Sequence, residues 1–324
     1  MAILVGIDEA GYGPHLGPLV VAAAAIEFPG DTVPDPDLWG ALRGHVRKRR
    51  SGTSGRVVIC DSKVAYSGGS VATLERAVLG FLAAMDSRPS SLAALLAATA
   101  VPAEAARAAT SRPWDSPHSL ALPAAAEGEA VTTAAEHLAL GLARLGASAA
   151  ALRVNVASPP RFNRLIQTTR NKATALFALT ADLLTEVQAR WPDQTILVTM
   201  DRHGGRRYYA PLLAAAFPMT AVETFEETRA VSRYGLRRNG SAAPVHLTIR
   251  NQCEAWSLAT ALASMAAKYV RELHMRQLNG YFQSLVPGLR PTAGYGRDAW
   301  RFLDEVAAAC EAAGVPDAAI LRCR

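Results

Sequence analysis

The stretch from Ala2 to Glu27 constrains the fold of this chain more than any other. An apolar run, Ala2 to Ile7, meets Asp8 and Glu9 at its end, as a buried strand carrying acids to its C-terminal end would. Five of the ten residues after Glu9 are Gly or Pro (Gly11, Gly13, Pro14, Gly17 and Pro18), and they break regular structure. Pro18 to Glu27 resumes as a second apolar strand. The pair predicts a hairpin with a long, glycine-rich connection. Adjacent strand residues point to opposite faces, so Asp8 and Glu9 reach one site only if the chain turns there. The glycines that follow supply such a turn.

Further along, Arg56 to Cys60 reads as a third short strand running into Asp61, and Gln194 to Met200 as a strand ending at Asp201. Helical spacing marks Ser70 to Met85 and Thr174 to Arg190. A helix is also expected near Tyr208 to Phe217. Three β-rich runs follow, Thr220 to Phe225, Val231 to Leu236 and Val245 to Ile249, then a long helix over Asn251 to Leu278 and a last one over Arg297 to Ala313. Leading strands that then alternate with helices define an α/β class with a mixed sheet. From Asp86 to about Ala151 alanine dominates, interrupted by prolines, as in an insertion of short helices. The expected organisation is a core of residues 1–85 and 152–282, an Ala-rich helical insertion at 86–151, and a C-terminal helical region at 283–324.

Composition narrows the function classes. Half of the 324 residues are hydrophobic, enough for a full core. Lys+Arg total 34 against 28 Asp+Glu, a net charge of +6 that admits an anionic partner without requiring one. No apolar run approaches the ~20 residues of a membrane span. The start carries no basic leader, and the four cysteines lie far apart without zinc spacing. Free thiols in a cytoplasmic protein are expected. No phosphate-binding Gly-x-x-x-x-Gly-Lys-Ser/Thr loop and no Gly-x-Ser-x-Gly elbow is present, so neither an NTPase nor an esterase is supported.

Acids at strand ends of an α/β sheet gather on one edge, where such sheets bind ligands. Asp8, Asp61 and Asp201 are such acids, and Asp8-Glu9 is the sharpest pair. Several carboxylates without His or Cys suit a hard cation. On a helix from Asn251, at about 100° per residue, Glu254 and Lys268 fall near one stripe with Ser257, Ala261 and Ser264 between them, the wall of a polar groove. Arg202, His203, Arg206 and Arg207 around Gly204-Gly205 suit a polyanion. His203 is a candidate for assisting product departure, with simple exposure as the plainer reading. Asn171 and Lys172, opening a helix, are further substrate candidates. The basic run Arg47 to Arg50 reads as a solvated loop, with a nucleic-acid tether as the alternative.

These residues carry a resemblance. Gly6-Ile7-Asp8-Glu9-Ala10-Gly11-Tyr12-Gly13-Pro14-His15-Leu16-Gly17-Pro18 meets every fixed position of Asp-Glu-(Ala/Val)-Gly-x-Gly-x-x-x-Gly-Pro, the opening motif of the type 2 ribonucleases H, HII and HIII. Asp61-Ser62-Lys63 resembles the family's Asp-Ser-Lys. Asp201 resembles its third acid, Ala259 to Lys268 its small-residue helix, Glu254 its fourth acid, and Gly294-Tyr295-Gly296 its late Gly-Tyr motif. The resemblance implies a ribonuclease H-like mixed five-stranded sheet flanked by helices. It implies a metal-dependent endoribonuclease that cuts the RNA strand of RNA–DNA hybrids, or duplex DNA containing ribonucleotides, to 5′-phosphate and 3′-hydroxyl ends. Asp8, Glu9, Asp201 and Glu254 would hold two Mg²⁺ or Mn²⁺ ions. Gly11, Tyr12, Gly13, Ser62, Lys63, Lys268 and Tyr295 would contact substrate, and the chain would act as a monomer away from membranes.

Two positions depart from the pattern of ribonucleases HII: Tyr12 stands where they have Arg, and Glu254 where they have Asp. Ribonucleases HIII share the Glu, but the motif starts at residue 6, short of their N-terminal domain. Two other readings follow from the departures. One is a nucleic-acid-binding protein of this fold with lost or altered catalysis, and the other a metal nuclease acting on branched DNA.

Overall fold

A computed structural model describes residues 1–30, 37–49, 55–102, 112–115, 120–238 and 243–323. The strands are β1 (Ala2–Ala10), β2 (Leu19–Phe28), β3 (Val46–Arg47), β4 (Val57–Val58), β5 (Ser148–Ala157), β6 (Thr195–Asp201), β7 (Thr220–Glu227), β8 (Val231–Arg238) and β9 (Val245–Arg250). The described helices are α1 (Leu38–Ala41), α2 (Ser62–Ala65), α3 (Ala72–Ala83), α4 (Leu92–Thr99), α5 (Gly128–Ala143), α6 (Pro159–Thr169), α7 (Lys172–Arg190), α8 (Ala210–Ala216), α9 (Leu258–Leu285) and α10 (Gly296–Ala312). None of them is long and apolar enough to cross a membrane.

The predicted hairpin forms. β1 and β2 pair antiparallel from Ala2–Phe28 to Ala10–Val20. The main sheet runs β5-β2-β1-β6-β9-β8-β7, with β6 parallel to both β1 and β9. It is mixed, as expected, but has seven strands rather than five. The additional pair is the β7–β8 ribbon, which extends the sheet beyond β9 through β8. Arg56 to Cys60 does not join this sheet. Within it β4 pairs with β3 in a separate two-stranded ribbon.

Apolar side chains alternate across the sheet and fill both faces. Ile3, Val5 and Ile7 face α7 and α8 with Leu176, Leu183 and Leu213. The other face is covered by α9 and α3, where Ala22, Ala24 and Ile26 of β2 meet Ala261, Leu262 and Met265. A third cluster joins the end of α9 to α10 through Phe282, Phe302 and Val306. Small residues on β2 and α9 permit a close approach of helix to sheet. Gly6 is the extreme case: a Cβ there would lie 2.0 Å from the Thr260 amide nitrogen and 2.1 Å from the Ala259 carbonyl carbon.

Parts of the Ala-rich region share these cores. Leu92, Leu95, Leu96, Leu122, Ala134 and Leu138 are buried with the α3–α9 layer, and β5 opens at Ser148, inside the expected insertion. Glu75 of α3 anchors the region. Its buried carboxylate accepts the amides of Ala124 (2.6 Å), Ala125 (2.7 Å) and Ala126 (2.6 Å) and the Tyr269 hydroxyl (2.6 Å). Glu75→Gln replaces an acceptor by a donor opposite backbone N–H groups, and the expected cost is ~2–3 kcal/mol. Urea denaturation of the two proteins measures it, and a loss below ~0.5 kcal/mol would deny Glu75 this role.

Candidate metal and nucleic-acid site

The site is built at one end of the parallel β1–β6–β9 unit. The β1–β6 register ends at Ile7–Met200, so β1 carries Asp8 and Glu9, still paired with β2, past its last pairing with β6, beside the end of β6 where Asp201 sits. Both acids lie within β1. The chain turns at Gly11, with φ +88°, the first of the glycines expected to supply the turn. The two carboxylates therefore leave opposite faces of a strand end, and each still acts on Asp201.

Glu254 arrives by a route the sequence reading misses. The long helix begins at Leu258, not Asn251. Ser257 caps it, accepting the Thr260 amide at 3.2 Å. Glu254 sits on the preceding 3-10 turn, Cys253–Ala255, entered through Gln252 in the left-handed region. The expected helical stripe from Glu254 to Lys268 therefore does not exist. Hydroxyl groups fasten this corner instead. Thr199 of β6 donates to Ser257 (2.9 Å) and shares a hydrogen bond with Thr260 (2.8 Å), while the Cys253 amide donates to Asp201 Oδ1 at 3.0 Å.

The four carboxylates feel one another. Burial, then Glu9, holds the Asp8 carboxyl well above the usual carboxylate range, and Ser264 opposes this by hydrogen bonding. Burial, then Asp201, pushes Glu9 up to about 7. Burial also raises Asp201 and Glu254, whose carboxylates repel each other, while Lys63 draws both down. An all-oxygen, acid-rich donor set of this kind fits a hard divalent cation. Among the described residues, no three His, Cys, Asp or Glu side chains are drawn close enough to hold an ion. A bound cation would relieve the mutual repulsion of these carboxylates.

This repulsion has a sign in solution. The Glu9 carboxyl ionises near 4.5 when unfolded and about 7 when folded. Between those values the unfolded state releases its proton first, so folding stability falls as pH rises and stays lower above the window. Metal-free wild type is expected to lose ~2 kcal/mol across this window relative to Glu9→Gln. Thermal melts in chelator at pH 5 and pH 8 read the difference, and equal slopes would contradict it.

The other expected site residues take mixed positions. Gly11, Tyr12 and Gly13 form the loop beside the acids. Tyr12 is half-buried, with the Lys172 ammonium 4.8 Å from its ring centroid. Gly294 clamps this loop by accepting the His15 (2.7 Å) and Leu16 (3.2 Å) amides, which brings Tyr295 against Gly13. Lys63 is exposed in the first turn of α2, and Asp61 caps that helix by accepting the Lys63 amide at 2.7 Å. Ser62 is buried, with its hydroxyl 3.0 Å from that of Ser264, the residue that bonds Asp8. Lys268 pairs with Glu272 at 2.7 Å and lies over the face of Tyr66 at 4.5 Å. His203 is not exposed. It is buried, and desolvation with the Arg206 charge lowers it to about 3, so it is neutral at physiological pH.

Part of the rim was hidden in the sequence. Lys48 lies over Trp39 at 4.4 Å and donates to the Ala255 carbonyl, so it crosses to the Glu254 turn. With Arg49, Asp61, Gln252 and Glu254 it lines a cleft of about 440 Å³. Arg50, the last member of the basic run, and Gly52 lie outside the described residues. On the other side of the turn Trp256 is 62 % exposed, with the Arg250 guanidinium 4.2 Å from its ring. The clustering of Arg47 to Arg50 was a signal for the first feature. Nothing in the sequence pattern singled out Trp256.

No family model matches the chain, and no curated protein does. Solved structures do. Ribonuclease HII of Archaeoglobus fulgidus, in complex with PCNA, matches over 99% of this chain and 94% of its own at 15% identity, with a TM-score of 0.42. Ribonuclease H2 of Pyrococcus horikoshii matches over 98% of this chain and 92% of its own at 13% identity, with a TM-score of 0.46. Bst-RNase HIII in complex with Mn²⁺ matches over 99% of this chain and 66% of its own, at 16% identity and a TM-score of 0.43.

Proposed function

We propose that this chain is a type 2 ribonuclease H: a divalent-metal-dependent endoribonuclease that hydrolyses the RNA strand of RNA–DNA hybrids, leaving 5′-phosphate and 3′-hydroxyl ends. The observation that carries the reading is the convergence of Asp8, Glu9, Asp201 and Glu254, from three separate elements, at one sheet end under a basic rim. These four residues would hold Mg²⁺ or Mn²⁺. Bound there, the ions would supply an activated water and neutralise charge on the scissile phosphate.

The chain's own groups position the substrate. Lys63, exposed and acting electrostatically on Asp201 and Glu254, attracts the phosphate to the acids. Ser62 and Ser264 hold the Asp8 carboxyl in place. Backbone groups of Gly11 and Gly13 offer contacts to a 2′-hydroxyl that need no particular side chain. Tyr295, half exposed against Gly13, presents a ring for a sugar or base. The chain would work as a monomer in a reducing cytoplasm, a compartment in which buried thiols such as Cys253 and Cys310 stay reduced.

A second reading, a nucleic-acid-binding protein without catalysis, draws on the open spacing of the acids among the described residues. Cleavage of an RNA–DNA hybrid and of branched DNA, each with Mg²⁺, with Mn²⁺ and with chelator, separates the readings. Metal-dependent cutting of hybrid to 5′-phosphate products is expected. Tight binding without cutting favours the second reading, and preference for branched DNA overturns both in favour of a structure-directed DNA nuclease.

A further inference from the structure

Arg271 of α9 is 1% exposed and lies directly under the loop that follows the acids. A Cβ on Gly11 would sit 2.8 Å from its Cδ and 2.9 Å from its Nε, and one on Gly17 3.0 Å from its Nη1. Both glycines have positive φ, +88° and +76°, so the loop backbone is shaped to admit the guanidinium. Nη2 donates to the Ala293 carbonyl at 2.9 Å and to the Leu16 carbonyl at 3.5 Å, and the Tyr295 side chain also hydrogen-bonds the guanidinium, which lies 5.8 Å from its ring centroid. Nε and Nη1 have no partner among the described residues.

A second guanidinium reaches the same loop from the C-terminal segment. Leu321 bridges to Leu16, and the Arg322 amide donates to the His15 carbonyl at 2.8 Å. The Arg322 side chain is 3% exposed and donates through Nη2 to the Pro14 carbonyl, while its Nε and Nη1 are unpartnered among the described residues. Lys172 completes the group, its ammonium over Tyr12 and within the field of Arg322. Burial lowers all three cations, and Arg322 is lowered further by Arg271. Glu272 is the carboxylate that acts on Arg271, and it is already bonded to Lys268.

Two desolvated like charges with unused N–H groups are unfavourable in an empty protein. Arginine forks match the oxygens of a phosphate, and an anion would satisfy both donors and charge. We propose that Arg271, Arg322 and Lys172 form a phosphate-binding site at the Gly11–Gly17 loop, separate from the carboxylates, that takes a backbone phosphate of the polynucleotide. The assignment of that phosphate to a polynucleotide rests on the nuclease reading above. The anion site itself does not.

Titration of the metal-free protein with inorganic phosphate, followed by calorimetry, tests the site with Arg322→Gln and Lys172→Ala. Lys172 lies at the helix start and is the variant least exposed to folding failure, which circular dichroism checks for both. Wild type is expected to bind phosphate, with affinity reduced roughly tenfold in Arg322→Gln and several-fold in Lys172→Ala. On hybrid substrate the same variants are expected to raise KM with little change in kcat. Phosphate binding by wild type without any cleavage would sink the nuclease reading and leave the site standing. Cleavage with unchanged phosphate affinity and unchanged KM in folded Arg322→Gln and Lys172→Ala would overturn the site alone, as would failure of wild type to bind phosphate.

Discussion

Asp8→Asn is expected to lower hybrid cleavage by ~10³-fold or more while the protein stays folded. Asp8 is 8% exposed at the end of β1, between Ser264 on one side and the fields of Glu9 and Asp201 on the other. The amide fills the same volume and can still accept from Ser264, so packing is retained. It cannot supply an anionic oxygen to a divalent cation. Its loss should leave hybrid binding in chelator within about threefold of wild type, because steering by Lys48, Lys63 and Arg49 is untouched. Metal-free Asp8→Asn should melt no lower than wild type, since a buried, mutually repelled carboxyl is removed. A variant that retains more than about a tenth of wild-type activity would remove Asp8 from the chemistry.

Gly6→Ala is expected to be the most damaging single methyl in the described sheet. The added Cβ would lie 2.0–2.5 Å from backbone atoms of Ala259 and Thr260, which cannot rotate away. Relief requires α9 to lift from β1. That movement would break the Thr199–Ser257–Thr260 hydroxyl contacts and carry off the turn bearing Glu254. The expected cost is ~4 kcal/mol or more, beyond ordinary overpacking because backbone must move. Urea denaturation measures it, and residual folded protein should lose metal-dependent stabilisation along with stability. By contrast, Gly30, where no heavy atom lies within 4 Å of an added Cβ, meets no steric obstacle, though its φ of +77° makes alanine mildly unfavourable there.

Much of the site was legible because it is local. The apolar run into Asp8-Glu9, the glycines after it, and the strand into Asp201 are each readable within about ten residues. The β7 and β8 strands were legible too, as the runs from Thr220 and Val231. Their addition to the sheet was not, since pairing with β9 is a long-range matter that pattern does not encode. The start of α9 was misplaced because Cys253 to Trp256 continues the apolar spacing. Ser257 followed by Leu258 is nevertheless a capping signal, and reading it first would have put Glu254 on a turn.

Asp61 shows the opposite failure. An acid after an apolar run looks like a strand-end ligand, yet an Asp that accepts from a helix amide two residues on is also a helix cap, and here it caps α2. The basic run at Arg47 was read as solvated because charge runs usually are. The contact of Lys48 with the Ala255 carbonyl spans 207 positions, and no local pattern reports it. Arg271 and Arg322 were passed over for a similar reason. Their shared loop is assembled only when the C-terminal segment folds back on Leu16.

The most direct measurement is cleavage of three end-labelled duplexes with Mg²⁺ and with Mn²⁺: one with a single ribonucleotide in DNA, one with a run of several, and one of DNA alone. Metal-dependent cutting within the ribonucleotide-containing strand, leaving 5′-phosphate ends, with the all-DNA duplex intact, is the expected result. Cutting of both ribonucleotide substrates would mean that Tyr12 permits recognition of one embedded ribonucleotide. Cutting of the run alone would mean that several are required. A folded, metal-binding protein that cuts none of the three would contradict the account.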